Sequence, residues 1–274
     1  MTISAALVKE LRTRTGAGIM DAKKALVETD GNIEGAIDWL RTKGIAKAAK
    51  KSGRKTGEGQ IGVCVDGKTG ILIEINSETD FVARNSSFCQ FIKDIAQHAV
   101  NYDDLESLLA SPMGDGTVAD ALAAQISALG ENLAISRMSR LTGNSIVSYV
   151  HNQAEPGIGK IGVLISLDGD NGEIGRQIAM HVAATNPIAL SEDDVPAERV
   201  ARERQVLTDI ANASGKPPAI VEKIVDGGLR KFFQTETLLN QKFVINPDVS
   251  VKQAADEAGA KIIGYVVMKV GEGG

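Results

Sequence analysis

The stretch from Ile71 to Asn85, ILIEINSETDFVARN, begins as a strand and ends by presenting an acidic residue beside an aromatic one. Ile71, Ile73 and Ile75 alternate with Leu72, Glu74 and Asn76, and β-branched residues at a period of two predict a half-buried strand. Asn76-Ser77-Glu78-Thr79 is polar throughout and predicts a turn. A helix is expected over residues 86–100, so Asp80-Phe81 falls at a strand-to-helix turn. Two readings are open there. Phe81 packs under the next helix, as large aromatics commonly do, or it is displayed for binding on a rigid scaffold.

Outward from this stretch the chain repeats itself. Gly59-Gln60-Ile61-Gly62-Val63 recurs as Gly159-Lys160-Ile161-Gly162-Val163, and Ile95-Ala96-Gln97-His98-Ala99 recurs as Ile178-Ala179-Met180-His181-Val182. Farther on, residues 118–137 end a helix at Gly130 and enter a strand, and residues 251–269 do the same at Gly259. Each half therefore reads as a hairpin, a helix, a second helix and a closing strand, with Asp66-Gly67 turning the first hairpin. Small antiparallel sheets with helices beside them make a duplicated α+β core.

Three further segments surround that core. Residues 4–14, 19–28 and 33–42 predict three short helices, with Asn32 as an N-cap. Ile33, Ala36, Ile37 and Leu40 line one face, and Ala22, Ala25 and Ala36 let the helices approach closely. This head is similar to the three-helix fold of ubiquitin-associated domains. Lys43 to Lys55, KGIAKAAKKSGRK, is basic with no acidic residue and no aromatic to stack on bases; a solvated linker, a protein contact and a nucleic-acid arm are all open. Residues 191–232 interrupt the second half as an antiparallel helical hairpin. Pro196 suits a first helical position, Val200, Val206, Leu207 and Ile210 form one stripe, and Ile220, Ile224, Val225 and Leu229 form the other. The expected division is residues 1–54, 55–140, 141–190 with 233–274, and the inserted 191–232.

With 274 residues the chain exceeds one ordinary domain, and 43% hydrophobic content is ample for a core without an apolar run of membrane-spanning length. The charged N-terminus does not read as a signal peptide, and the expected location is the cytoplasm. Cys64 and Cys89 lie far apart and read as reduced thiols. A net charge of −5 argues against a general nucleic-acid binder. No Walker A string occurs. Asp168-Gly169-Asp170-Asn171-Gly172 starts like a calcium loop but has Glu173 where glycine is required, so it reads as a turn. His98, His151 and His181 lie on separate elements, and packing roles are expected for the first and last. No nucleophile–base pairing is visible, and the chain reads as neither an enzyme nor the holder of a cofactor or metal.

Thr79-Asp80-Phe81-Val82-Ala83 is similar to the TDFVA segment of the bacterial elongation factor Ts family, the guanine-nucleotide exchange factors of elongation factor Tu. Val8-Lys9-Glu10-Leu11-Arg12 and Thr15-Gly16-Ala17-Gly18-Ile19-Met20-Asp21-Ala22-Lys23-Lys24-Ala25-Leu26 resemble the same family, in its order and at about its spacing. The resemblance implies binding to elongation factor Tu in its GDP-bound and nucleotide-free states. Phe81, with Asp80, Val82 and Ala83, would enter beside the partner's magnesium site and dislodge the ion. Ile19, Met20 and Lys23 in the head, Lys51 in the basic segment, and Leu129, Gly130 and His151 in the core match partner-contacting positions. Residues 152–157, NQAEPG, look longer than the family's turn. The hairpin matches a projecting coiled coil that serves association, a homodimer included. Some members continue from a GEG turn like Gly271-Glu272-Gly273 into a further helical module, so a greater reliance on the head and the basic segment is expected here. A ubiquitin-like-domain reader would use the head but leave the duplicated core unexplained, and an α+β enzyme would lack a site.

Overall fold

The computed structural model describes residues 3–169, 171–215 and 217–272. Asp170 of the aspartate-rich turn, Lys216 of the hairpin break and the closing Gly273-Gly274 lie outside them. The head contains α1 (Ala5–Thr15), α2 (Ile19–Glu28) and α3 (Ile33–Lys51). Ser4 Oγ accepts from the Leu7 N–H, Asn32 Oδ1 accepts from the Gly35 N–H, and Gly16 at φ 67° closes α1 in the left-handed region. Leu11, Ala22, Ala25, Leu26 and Ala36 are fully buried between the three helices.

Helix α3 runs nine residues past the expected Thr42, so the basic segment is helical as far as Lys51. Its Ala and Lys content favours helix, and tertiary contact holds it there. Gly44 is buried facing the Ala123 carbonyl, and Ala48 packs into the first half of the core. The head is therefore docked through α3 instead of hanging on a solvated tether.

The first half follows as β1 (Glu58–Asp66), β2 (Thr69–Ser77), α4 (Asp80–Ala83), α5 (Ser86–Ala99), α6 (Leu105–Ala110), the small β3 (Pro112–Met113) and β4 (Gly116–Thr117), α7 (Val118–Leu129) and β5 (Leu133–Thr142). The second half is β6 (Ser145–Glu155), β7 (Ile158–Asp168), α8 (Gly172–Thr185), the inserted α9 (Ala197–Ala213) and α10 (Pro218–Glu236), then α11 (Val251–Glu257) and β8 (Lys261–Lys269). Each half builds a three-stranded antiparallel sheet, β1-β2-β5 and β6-β7-β8. A short pairing of Ile61 with Gly159 and Gly62 with Ile158 joins them. The protein is α+β with a duplicated core.

The duplication differs from the sequence reading in one respect. By connectivity β1 matches β6 and β2 matches β7, so GQIGV and GKIGV occupy non-equivalent strands that face each other. What they share is a close approach. A Cβ at Gly62 would meet Ile92 Cγ2 at 2.5 Å, and one at Gly162 would meet Ile61 Cγ2 at 2.7 Å. Packing, not repeat position, accounts for the common pattern. The first hairpin turns at Gly67-Lys68, with Asp66 already paired to Thr69.

Strand β2 is buried on both faces, not one. Ile71, Ile73 and Ile75 pack with Phe88, Ile92 and Ile95 of α5, whereas Leu72 packs with Ile61, Leu164 and Met268. Glu74 and Asn76 are buried too, because the second half covers their side of the sheet. Asn76 and Ser77 still belong to the strand, and the turn begins at Glu78.

In the hairpin, Val200 and Leu207 of α9 pack on Val221, Val225 and Leu229 of α10, while Val206 and Ile210 stay exposed. Pro196 stands just before α9, and Pro218 takes the first helical position of α10. Both cysteines are free thiols, and burial pushes both up from the usual thiol range. Among the described residues no helix is long and apolar enough to cross a membrane.

The two repeat histidines hold helices in place. His98 Nε2 lies 2.8 Å from Ser111 Oγ. His181 is fully buried; its Nδ1 accepts from the Val244 N–H at 3.2 Å, and its Nε2 faces Gln241 Oε1 at 2.7 Å. Both bonds fit one neutral tautomer, with the proton on Nε2, and burial lowers the ring's pKa from 6.5 despite the Gln241 bond. The sign follows. Below pH 6.5 the unfolded chain takes up a proton that the folded ring resists, so stability falls as the pH drops from 6.5 towards the folded value. Urea midpoints at pH 7.5 and 5.5 should fall more in wild type than in His181→Gln. Parallel losses would remove the histidine from the acid sensitivity.

Candidate functional site

The turn after β2 places five side chains differently. Thr79, extended at φ −126° and ψ 158°, caps the single helical turn α4 and accepts from the Val82 N–H at 3.4 Å. Val82 and Ala83 point into the core, and the Ala83 carbonyl accepts from the buried Gln60 Nε2 at 2.9 Å. That anchorage turns Phe81 outward, where it is 84% exposed. Leaving a Phe in water forgoes about 2–3 kcal/mol of burial. The residue is displayed and does not pack under α5. Asp80 sits beside it, paired at 3.4 Å with Arg84.

A second loop holds this turn. Helix α7 ends at Leu129, Gly130 takes φ 80°, and the chain swings so that Glu131 and Asn132 meet the Phe81 turn. The Glu131 carboxylate accepts from the Thr79 N–H at 3.0 Å and from the Thr79 hydroxyl at 2.6 Å. In return Glu78 Oε1 accepts from the Asn132 N–H at 2.6 Å and from Arg54 at 3.3 Å. Asn132 Nδ2 donates to the Arg54 carbonyl at 2.9 Å. The Glu78 carboxyl is held below the usual carboxylate range, chiefly by the Asn132 N–H; Arg54 and Lys51 add to this while burial opposes it.

The structure thus brings together three of the groups expected from sequence: Asp80 to Ala83, Leu129 with Gly130, and Lys51. The others lie on separate elements. Ile19 and Met20 open α2 at 57% and 77% exposure, and Lys23 is exposed one turn on. Ile19 and Lys23 line a groove of about 380 Å³ together with Ile3, Val8, Lys9 and Arg12, and Met20 lies outside that lining. His151 is exposed on β6, with its Nδ1 3.0 Å from the Tyr149 hydroxyl. The NQAEPG segment is not a long turn. Pairing continues to Glu155 and Ile158, a bulge between Gln153 and Glu155 takes up the extra residue, and Asn152 just before it sits at φ 52°. Sequence reading missed Thr79, Glu131, Asn132 and Arg54 as supports of the turn. The one hint was an acidic residue directly after the glycine that closes α7.

The family model described as Elongation factor TS matches residues 78–272, most of the chain, starting at the turn that carries Phe81. The chain belongs to the elongation factor Ts family. Curated relatives extend the match through the head. Elongation factor Ts of Ruegeria pomeroyi is 55% identical over 273 residues, covering 100% of this chain and 94% of the relative. That of Paracoccus denitrificans is 55% identical over 277 residues with the same coverage, and that of Jannaschia sp. is 54% identical over 273 residues, again covering 100% and 94%. Members of this family are translation elongation factors, and the head, duplicated core and hairpin described above are this chain's version of its α+β fold.

Proposed function

We propose that this protein is the guanine-nucleotide exchange factor of elongation factor Tu: it binds the GDP-bound form, dislodges magnesium, releases GDP and leaves a nucleotide-free complex to which GTP binds. The observation that carries this reading is Phe81, exposed beside Asp80 on a turn clamped from two sides, in a chain of the elongation factor Ts family. Each tenfold gain in the rate of GDP release needs about 1.4 kcal/mol less barrier. That energy has to come from contacts better made to the nucleotide-free partner than to its GDP form. A rigidly displayed aromatic meets this requirement, because its apolar surface is covered only when the partner's site opens. Val82 and Ala83 anchor it. Ile19, Met20, Lys23, Lys51, Leu129, Gly130 and His151 supply affinity.

No covalent chemistry, cofactor or direct nucleic-acid contact enters the reading, and its setting is the cytoplasm. A second copy of the chain would find Val206, Ile210 and Ile220 exposed on the hairpin. The deciding experiment is release of a fluorescent GDP analogue from purified elongation factor Tu with this protein added. Acceleration that saturates with its concentration is expected; an unchanged rate would refute the assignment.

Lys23 and Lys51 test the electrostatic part. Both belong to elements facing the proposed partner, and exposed charges act over roughly 8 Å at physiological salt. Reversing both to Glu should weaken complex formation by about tenfold or more at low salt and by less at high salt. Titration calorimetry at the two salt concentrations checks it. Salt curves that superimpose with those of the wild type would remove steering by these lysines.

A further inference from the structure

We propose that Glu131 is a positioning residue for exchange: its carboxylate fixes the turn that presents Phe81 and thereby sets the maximal rate of GDP release. The proposal rests on the reading of Phe81 as the group that opens the partner's magnesium site. Helix α4 has four residues and too few internal bonds to hold a side chain in one direction. Its stiffness comes from outside. Glu131 takes both donors of Thr79, the N–H at 3.0 Å and the hydroxyl at 2.6 Å, two residues before Phe81. Because the hydroxyl proton is committed to the carboxylate, the oxygen's lone pair is left for the Val82 N–H at 3.4 Å. One carboxylate therefore fixes the cap of α4 and orients it. Charge-assisted bonds of this kind are the short, strong ones.

The same loop reaches farther. Glu131 follows Gly130 at the end of α7, and α7 packs against Gly44 of α3, the helix that continues from the head. The direction of Phe81 is thus referred to the element on which the head is docked. A partner that engages the head meets Phe81 at a set position. Displacing a reacting group by about 1 Å can cost up to 100-fold in rate, so a looser turn lowers the maximal rate more than it lowers affinity.

The test is saturation kinetics of fluorescent GDP release from elongation factor Tu for Glu131→Ala, Thr79→Val, Thr79→Ser and Phe81→Ala, with a melting curve for each. Glu131→Ala and Thr79→Val should each lower the maximal rate by about threefold to tenfold, with the half-saturating concentration within about twofold of wild type. Thr79→Ser, which keeps the hydroxyl, should restore the wild-type rate. The double variant should be no slower than the slower single one, since both remove the same unit. If Glu131→Ala fails to fold, the near-isosteric Thr79→Val reads the same bond. Full maximal rates in the clamp variants, with Phe81→Ala slow, would overturn the positioning role alone. A Phe81→Ala protein as fast as wild type would overturn the reading of Phe81 and this proposal with it.

Discussion

Phe81→Ala should slow catalysed GDP release by about tenfold or more, a barrier change of about 1.4 kcal/mol or above, without lowering the melting temperature. The two halves of that expectation come from the same number. At 84% exposure the ring makes almost no packing contribution, so its removal leaves no cavity. An exposed aromatic on a clamped turn is available instead to a partner. Asp80→Ala should cost less, because its carboxylate engages Arg84 in an exposed pair four residues apart, a contact worth only about 0.3–0.5 kcal/mol. Stopped-flow release with a melting curve separates the outcomes. A variant that melts several degrees lower while exchanging normally would make Phe81 a structural residue, and one unchanged in both would leave the turn without a role.

What could be read from the sequence follows from where the information lies. Local signals were sufficient for the helices of the head, because Ser4, Asn32 and Gly16 mark their ends chemically. The end of α3 carried no such mark. Whether Lys43 to Lys51 is helix or tether is decided by Gly44 meeting Ala123, a contact between residues far apart in the chain. The half-buried reading of β2 failed for the same reason. Alternation showed that Ile71, Ile73 and Ile75 share a face, but not that the second half would cover Glu74 and Asn76. At the site, the Phe81 turn is contiguous in sequence and was legible. Its supports, Glu131, Asn132 and Arg54, are distant residues with no individual signature.

The largest stability effect is expected at the polar group that β2 buries. Glu74 is 2% exposed, and its carboxylate accepts from Arg137 Nε at 2.6 Å, Asn76 Nδ2 at 2.9 Å and the Gly271 N–H at 2.8 Å. Arg137 Nη2 also donates to the Lys269 carbonyl at 2.6 Å, so the pair ties β2 and β5 to the end of β8. Arg137→Met leaves a buried carboxylate without its counter-charge, which should cost roughly 3–5 kcal/mol. In a chain of this size that lowers the melting temperature by roughly ten degrees. Adding Glu74→Gln should recover part of the loss. The neutral amide needs no counter-charge, and its Oε1 still accepts from Asn76 and Gly271. If the double variant melts no higher than Arg137→Met alone, the loss lies in arginine packing and the Lys269 bond, not in an orphaned charge. The release rate well below the melting temperature should be near wild type in both variants. Glu74 supports the strand that leads into the turn, whereas Glu131 grips the turn itself, so the first should move stability and the second the rate.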